Sequence, residues 1–135
     1  MSTAALANTW HERLAQLRAL EAEAERHAIT ILDPLQAAFL GMFPAWPTMG
    51  KEGREIAQRW MEQSGFNAAC DRSDTLGEQI VNLAGDLIRE PAPDCAAALW
   101  KFRYLYGSES SGEGEWHPEY VAQAHIDIEH FLENN

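Results

Sequence analysis

The chain has 135 residues, 46% of them hydrophobic and 10% aromatic, and ten Lys and Arg stand against twenty-one Asp and Glu for a formal net charge of −11. This composition excludes a disordered chain, and the length suits one domain that buries roughly two-thirds of its unfolded surface. The negative charge opposes binding to phosphate backbones and anionic lipids, so we expect neither a direct nucleic-acid partner nor a membrane.

The beginning of the chain predicts one long amphipathic helix. Thr9 and Glu12 have the spacing of a capping box, and an apolar stripe over about residues 10–32 follows. The stripe comprises Trp10, Leu14, Leu17, Leu20, Ala24, His27 and Ile31. Asp33-Pro34 then has the pattern of an N-cap with a first-turn proline, which restarts or bends the helix through residue 43.

Glycine and proline divide the middle of the chain. "PAWPTMGKEG", residues 44–53, predicts an irregular connection, and a short helix over 51–63 is expected to stop at Gly65. From Phe66 to Leu87 mostly apolar residues recur in steps of three and four, which is the strongest helical periodicity in the chain and predicts a long helix. Gly77 and Gly85 weaken that helix but permit close contact with a neighbouring helix.

Two further helices complete the prediction. Pro91 and Pro93 end the long helix, and Asp94 is placed as the N-cap of a helix that begins at Cys95. Residues 107–117 have the composition of a flexible acidic linker, and a last helix follows Pro118. The sequence thus predicts an all-α fold, a small bundle of four to five helices in a single domain over residues 1–135.

The compartment is predicted from cysteine usage and from the start of the chain. Cys70 and Cys95 have the spacing of neither a disulfide framework nor a zinc site. No basic leader with an apolar stretch opens the sequence, and "AAFLGMF" is too short to cross a bilayer. We expect a cytoplasmic protein without a cofactor.

Residues 91–103 resemble a segment of small uncharacterised helical proteins of alphaproteobacteria. Pro91-Ala92, Lys101 and Arg103 match the pattern "PA-x-T-x-x-G-x-x-x-K-x-R", while Asp94 stands at its threonine and Ala97 at its glycine. The similarity covers roughly residues 66–135, with a weaker match over 10–20. The resemblance implies a helical fold and a prophage or other mobile-element origin. It implies no catalytic residue, because no activity is assigned to these relatives.

Histidines and carboxylates near the end of the chain invite a metal site. The candidates are His117, His125 and Glu129, of which the last two share a helix face. His130 and Asp127 point elsewhere, so a second helix would have to complete the coordination. A solvated polar face is the favoured interpretation.

Other chemistry-bearing residues fit structural roles. His27 is expected as a packed, hydrogen-bonded histidine, His11 as an exposed one, and Cys95 as a packed thiol without a histidine partner. "MGKEG" fails as a phosphate loop, because Ala45 and Glu52 stand at two of its required positions. We therefore expect no enzyme.

A protein partner is the leading functional hypothesis. The candidate partner-binding residues are four tryptophans and three acids: Trp46, Trp60, Trp100, Trp116, Glu109, Glu113 and Glu115. The alternatives are core tryptophans, an acidic mimic of nucleic acid that inhibits a nuclease or DNA-binding protein, and a minor His/carboxylate metal-binding protein. A homodimer through a surplus apolar stripe stays open.

The last two cations of the chain are expected to join helices. Leu99, Phe102 and Tyr106 share one helix face that is predicted to pack in the bundle. Lys101 and Arg103 are predicted to pair with carboxylates of the closing helix, namely Asp127, Glu129 or Glu119. If exposed, these pairs contribute at most about 1 kcal/mol. Residues 42–65 have no assigned role.

Overall fold

The structure is a computed structural model that describes residues 2–106 and 118–133. Within these ranges there is no strand, and the predicted all-α fold class is confirmed. The described residues form six α-helices: Thr3–His27 (α1), Asp33–Met42 (α2), Lys51–Gln63 (α3), Phe66–Arg89 (α4), Cys95–Tyr106 (α5) and Pro118–Glu133 (α6). The predicted linker at 107–117 lies outside the described residues.

The first helix begins earlier than predicted. The Ser2 hydroxyl accepts a hydrogen bond from the backbone N–H of Ala5 at 3.1 Å, which is the geometry of an N-cap. Thr9 is inside the helix, where its hydroxyl donates to the carbonyl of Ala5 at 2.9 Å. The capping-box interpretation was therefore wrong, because the alanine-rich residues before Thr9 are themselves good helix formers.

A π-helical turn, Ala28–Leu32, connects α1 to α2 without interrupting the helical backbone. Asp33 has helical dihedral angles, and its N–H donates to the carbonyl of Ala28, so it is not an N-cap. Pro34 has no N–H to donate and its ring crowds the carbonyl four residues earlier. The wider π turn accommodates this proline. Because the turn joins α1 and α2 into one continuous helical run, the six α-helices of the described residues form five separate runs.

Breaker residues define the remaining helix ends as predicted. A short 3-10 turn at Trp46–Thr48 lies in the irregular connection, and α3 ends just before Gly65, whose φ of 86° favours glycine. The carboxylate of Asp94 accepts a hydrogen bond from the backbone N–H of Ala97 at 2.8 Å, so the predicted N-cap of α5 is confirmed.

The residues group into two compact units, which are described separately. Unit 1 contains Met1–Arg18 and Val81–Asn135, and its core includes Trp10 of α1 and Trp100 of α5, whose rings meet edge to face at 5.5 Å. The indole N–H of Trp10 also donates to the carbonyl of Leu87 at 3.1 Å. A Cβ atom at Gly85 would lie 2.6 Å from the Tyr120 hydroxyl, which confirms the predicted close contact there.

Unit 2, Ala19–Ile80, is built on an aromatic cluster. Phe39 of α2 and Phe43, the residue after α2, are buried, and the rings of Trp46, Trp60 and Phe66 lie 5.4–5.9 Å from the ring of Phe39. Nothing lies within 4 Å of a Cβ atom added at Gly77, so the close contact predicted at this glycine was wrong.

No helix in the described ranges combines the length and the apolarity that crossing a bilayer requires.

Candidate docking surface

A buried ion pair fixes α6 to α5 in unit 1. The Lys101 ammonium, 0% exposed, donates to Asp127 Oδ2 at 2.7 Å and to the carbonyl oxygen of Glu90. Asp127, 4% exposed, also accepts hydrogen bonds from the backbone N–H of Ala92 and from the Gln123 amide, both at 3.0 Å. Burial lowers the pKa of Lys101, and the hydrogen bond that its ammonium donates to Asp127 opposes this shift.

The predicted pairing between α5 and α6 is therefore confirmed for Lys101, but the pair is buried rather than exposed. The pair is fully desolvated, so the estimate for an exposed pair does not apply to it. Arg103 is exposed on the other side of α5, and Glu119 lies 3.9 Å from Arg89 of α4 instead. Aspartate at 127 rather than glutamate at 129 is the residue that points inward.

A hydrogen-bonded histidine and an arginine–glutamate ion pair hold α1 against the α4–α5 junction. His11 Nε2 lies 2.9 Å from a carboxylate oxygen of Asp94, so this histidine is half-buried and not exposed as predicted. The two terminal nitrogens of Arg13 donate to the two carboxylate oxygens of Glu90, the first at 2.8 Å. This hydrogen bonding lowers the pKa of Glu90 and raises that of Arg13.

These anchors determine which side of α5 faces the core. The buried residues of this helix centre on Ala97, Lys101 and Tyr104. Leu99, Phe102 and Tyr106 lie on the opposite side and are 49%, 46% and 51% exposed. The prediction that these three pack in the bundle was wrong. Since ten of the twelve residues of α5 are apolar, periodicity did not distinguish its two sides.

The exposed side of α5 continues onto α6. The two helices form an open groove of about 240 Å³, whose floor contains the small Ala98. We call this groove the α5–α6 face; it is lined by Cys95, Ala98, Leu99 and Phe102 of α5 and by Ile128, Phe131 and Leu132 of α6. Leu132 is 72% exposed, and the ring of Tyr106 extends the face 5.3 Å from that of Phe102.

Charged residues flank this face unequally. At 100° per residue, His125 and Glu129 lie next to Ile128 and Leu132 on α6, and both are exposed. Arg103 lies beyond Leu99 on the other side of the face. From residue 95 to the end, the sequence has two cations against seven acids.

The predicted tryptophan sites divide between the units. Trp100 is buried against Trp10, so the proposed exposed anchor at this position was wrong. Trp46 and Trp60 are half-buried in the aromatic cluster of unit 2, where Trp60 also lines an open groove of about 330 Å³ with Met42 and Ile56. Trp116, Glu109, Glu113 and Glu115 lie outside the described residues.

The metal-site and thiol candidates that the structure describes are exposed. His125 and Glu129 are exposed on α6, and His117 lies outside the described residues. Within residues 2–106 and 118–133, no three His, Cys, Asp or Glu side chains are grouped as metal ligands would be. Cys95 is exposed rather than packed, because it lies on the solvent side of α5.

In unit 2, His27 and Cys70 are both half-buried. His27 Nε2 lies 2.8 Å from the carbonyl oxygen of Ala69, as expected for a packed, hydrogen-bonded histidine. Cys70 is half-buried, and burial together with the nearby Asp74 and Asp71 raises the pKa of its thiol.

No family model, curated protein or solved structure matches this chain. The resemblance to alphaproteobacterial helical proteins stays a prediction, and the candidate surface is supported by its own geometry alone.

Proposed function

We propose that this chain is a non-enzymatic, acidic helical protein-interaction module, and that the α5–α6 face is its docking surface. The observation that carries the proposal is the exposure of Leu99, Phe102 and Leu132 around one groove. Contiguous exposed apolar residues of this kind are typical of protein-binding surfaces. The half-buried Ile128 and Phe131 make the groove continuous between the two helices.

The shape of the groove supports a macromolecular partner. Its volume of about 240 Å³ is below the roughly 300–1,000 Å³ of small-molecule sites. Its lining is apolar except for the Cys95 thiol, whereas small-molecule sites place several polar groups around the ligand. An open apolar groove between two helices instead fits the side chains of a partner protein.

Capture from a native lysate tests the proposal when the face itself is varied. The double variant Phe102→Ser, Leu132→Ser removes the two aromatic and aliphatic anchors, and we expect it to lose the proteins that the wild type enriches. Val81→Ser and Ile126→Ser are matched controls, because these residues are 66% and 57% exposed but lie off the groove. Enrichment that survives the double variant would contradict the proposal.

The same capture experiment distinguishes the docking-surface proposal from the alternative that the chain is an acidic mimic of nucleic acid. A mimic of nucleic acid would bind a basic nucleic-acid-binding protein with an affinity that falls steeply as salt is added. That binding would be unaffected by Phe102→Ser, Leu132→Ser. The expected mobile-element origin forms a separate part of the proposal, and the genes neighbouring the coding region test it.

A further inference from the structure

We infer that the partner of the α5–α6 face is an amphipathic helix whose apolar stripe is flanked by lysine or arginine. This inference rests on the proposed function and adds the chemical class of the partner. It follows from the spacing of the apolar residues on the face and from the charges beside them.

The spacing along α5 fits a helix as the occupant. Cys95, Leu99, Phe102 and Tyr106 follow one another at intervals of four, three and four residues, so they form one straight row along α5. The small Ala98 leaves a depression between this row and α6. A helix laid into that depression would present anchors every three or four residues to two helices at once, which is a common mode of peptide recognition.

The charges beside the groove select a basic partner. On α6, Glu129 is next to the apolar residues, and Glu133 follows it one turn later on the exposed side. Neither glutamate is the acid that neutralises Lys101, since that acid is Asp127. A cation on the flank of a docked helix that faces α6 would therefore meet an exposed carboxylate.

The net charge of the chain also disfavours a second copy of the chain or an acidic helix as the occupant of the groove. A second copy is a chain of net charge −11 like the first, so the two copies repel each other overall, and an acidic helix would likewise be repelled. Arg103 on the far side of the face is a single cation against that excess. Charge complementarity therefore assigns the groove to a basic helix.

Designed peptides test this inference on the full chain. We would titrate the protein with three 16-residue peptides, the length of α6: a helical Leu/Lys peptide with one apolar stripe, its Leu/Glu counterpart, and a scrambled Leu/Lys peptide of equal charge. The amphipathic Leu/Lys peptide should bind at least about tenfold more tightly than either control, because only it matches both stripe and charge.

Variants of the chain locate the binding. Phe102→Ser, Leu132→Ser should weaken the Leu/Lys peptide by at least about tenfold, whereas Ile126→Ser should not. Glu129→Lys, Glu133→Lys should weaken the Leu/Lys peptide and strengthen the Leu/Glu peptide, each by roughly three- to tenfold at low salt. Bound peptide should also slow alkylation of Cys95, measured by peptide mapping so that Cys70 is quantified separately.

Each alternative outcome has a distinct meaning. Equal binding of the Leu/Lys and Leu/Glu peptides, lost in Phe102→Ser, Leu132→Ser, would overturn the inference about charge and leave the proposed docking surface intact. A dimer of the protein alone that the same double variant abolishes would overturn it in favour of a second copy. Binding that ignores both double variants, or that the scrambled peptide reproduces, would overturn the inference and remove its support for the face.

Discussion

Replacing Lys101 by methionine tests the buried ion pair that positions α6. Methionine is unbranched and only one atom shorter than lysine, so it keeps most of the apolar stem but removes the charge and the donors. Asp127, which is 4% exposed, would then be a buried carboxylate without its cation, and the carbonyl of Glu90 would lose its ammonium donor. Breaking a buried pair on one side typically costs about 3–5 kcal/mol.

The local hydrogen bonds place the expected loss near the lower end of that range. The N–H of Ala92 and the amide of Gln123 would still donate to Asp127, so the carboxylate would not be isolated. We therefore expect Lys101→Met to lower the free energy of unfolding by about 3 kcal/mol. With a typical denaturant dependence of about 2 kcal/mol per molar urea, the midpoint moves by roughly 1.5 M.

A second substitution isolates the electrostatic part of this loss. Lys101→Met with Asp127→Asn removes the unpaired charge, while the new amide oxygen can still accept from the N–H of Ala92. This double variant should be more stable than Lys101→Met alone. Arg103→Met, on the exposed side of the same helix, is the control and should change stability by less than about 0.5 kcal/mol.

Urea denaturation followed by circular dichroism at 222 nm measures all three variants. A loss below about 1 kcal/mol in Lys101→Met would mean that the pair behaves as an exposed one. A double variant no more stable than the single one would show that packing, and not the uncompensated charge, causes the loss. Either result would refute the reasoning.

Three further predictions concern two glycines of α4, the Glu90 carboxylate and the two cysteines. In α4, Gly77→Ala should raise the unfolding free energy by up to about 1 kcal/mol in urea, whereas Gly85→Ala should gain less, because its Cβ would lie 2.6 Å from a tyrosine hydroxyl of α6. An equal gain at both would show that this tyrosine moves freely. Hydrogen bonding lowers the pKa of Glu90, so its carboxylate stabilises the protein above the ordinary glutamate pKa and stops doing so as the pH falls. The stability difference between wild type and Glu90→Gln should therefore shrink from about pH 7 to about pH 3, and a constant difference would contradict this. With Ellman's reagent at about pH 8, the exposed Cys95 should react before Cys70, whose pKa burial raises; the reverse order would refute the assigned exposures.

The helices themselves were largely predictable because their signals are local. The Asp94 carboxylate caps α5 by accepting a hydrogen bond from the N–H of the third residue after it, and Gly65 ends α3 through its own backbone conformation. Pro34 correctly predicted where the helix becomes irregular. It did not predict a π turn, because that turn depends on how several carbonyls share their donors. Ser2 was missed because the capping-box spacing of Thr9 and Glu12 was taken as the start of the helix.

The exposure of Trp100 was predicted wrongly for a related reason. Tryptophan content suggested Trp100 as an exposed anchor, but the apolar environment of Trp10 holds it inside. The signal that could have indicated the α5–α6 face is the excess of apolar residues in α5, more than one buried side of a helix can use.

The sequence by itself determined that this protein is all-α, where most of its helices end, and that α5 and α6 are joined through Lys101. Only the tertiary structure decided which side of α5 faces outward. Lys101 donates hydrogen bonds to Asp127, 26 residues away, and to the carbonyl of Glu90, 11 residues away. Because its charge is buried among these partners, α5 is oriented with Leu99 and Phe102 facing solvent. A periodic pattern describes one helix, whereas this rotation depends on groups that only folding brings together.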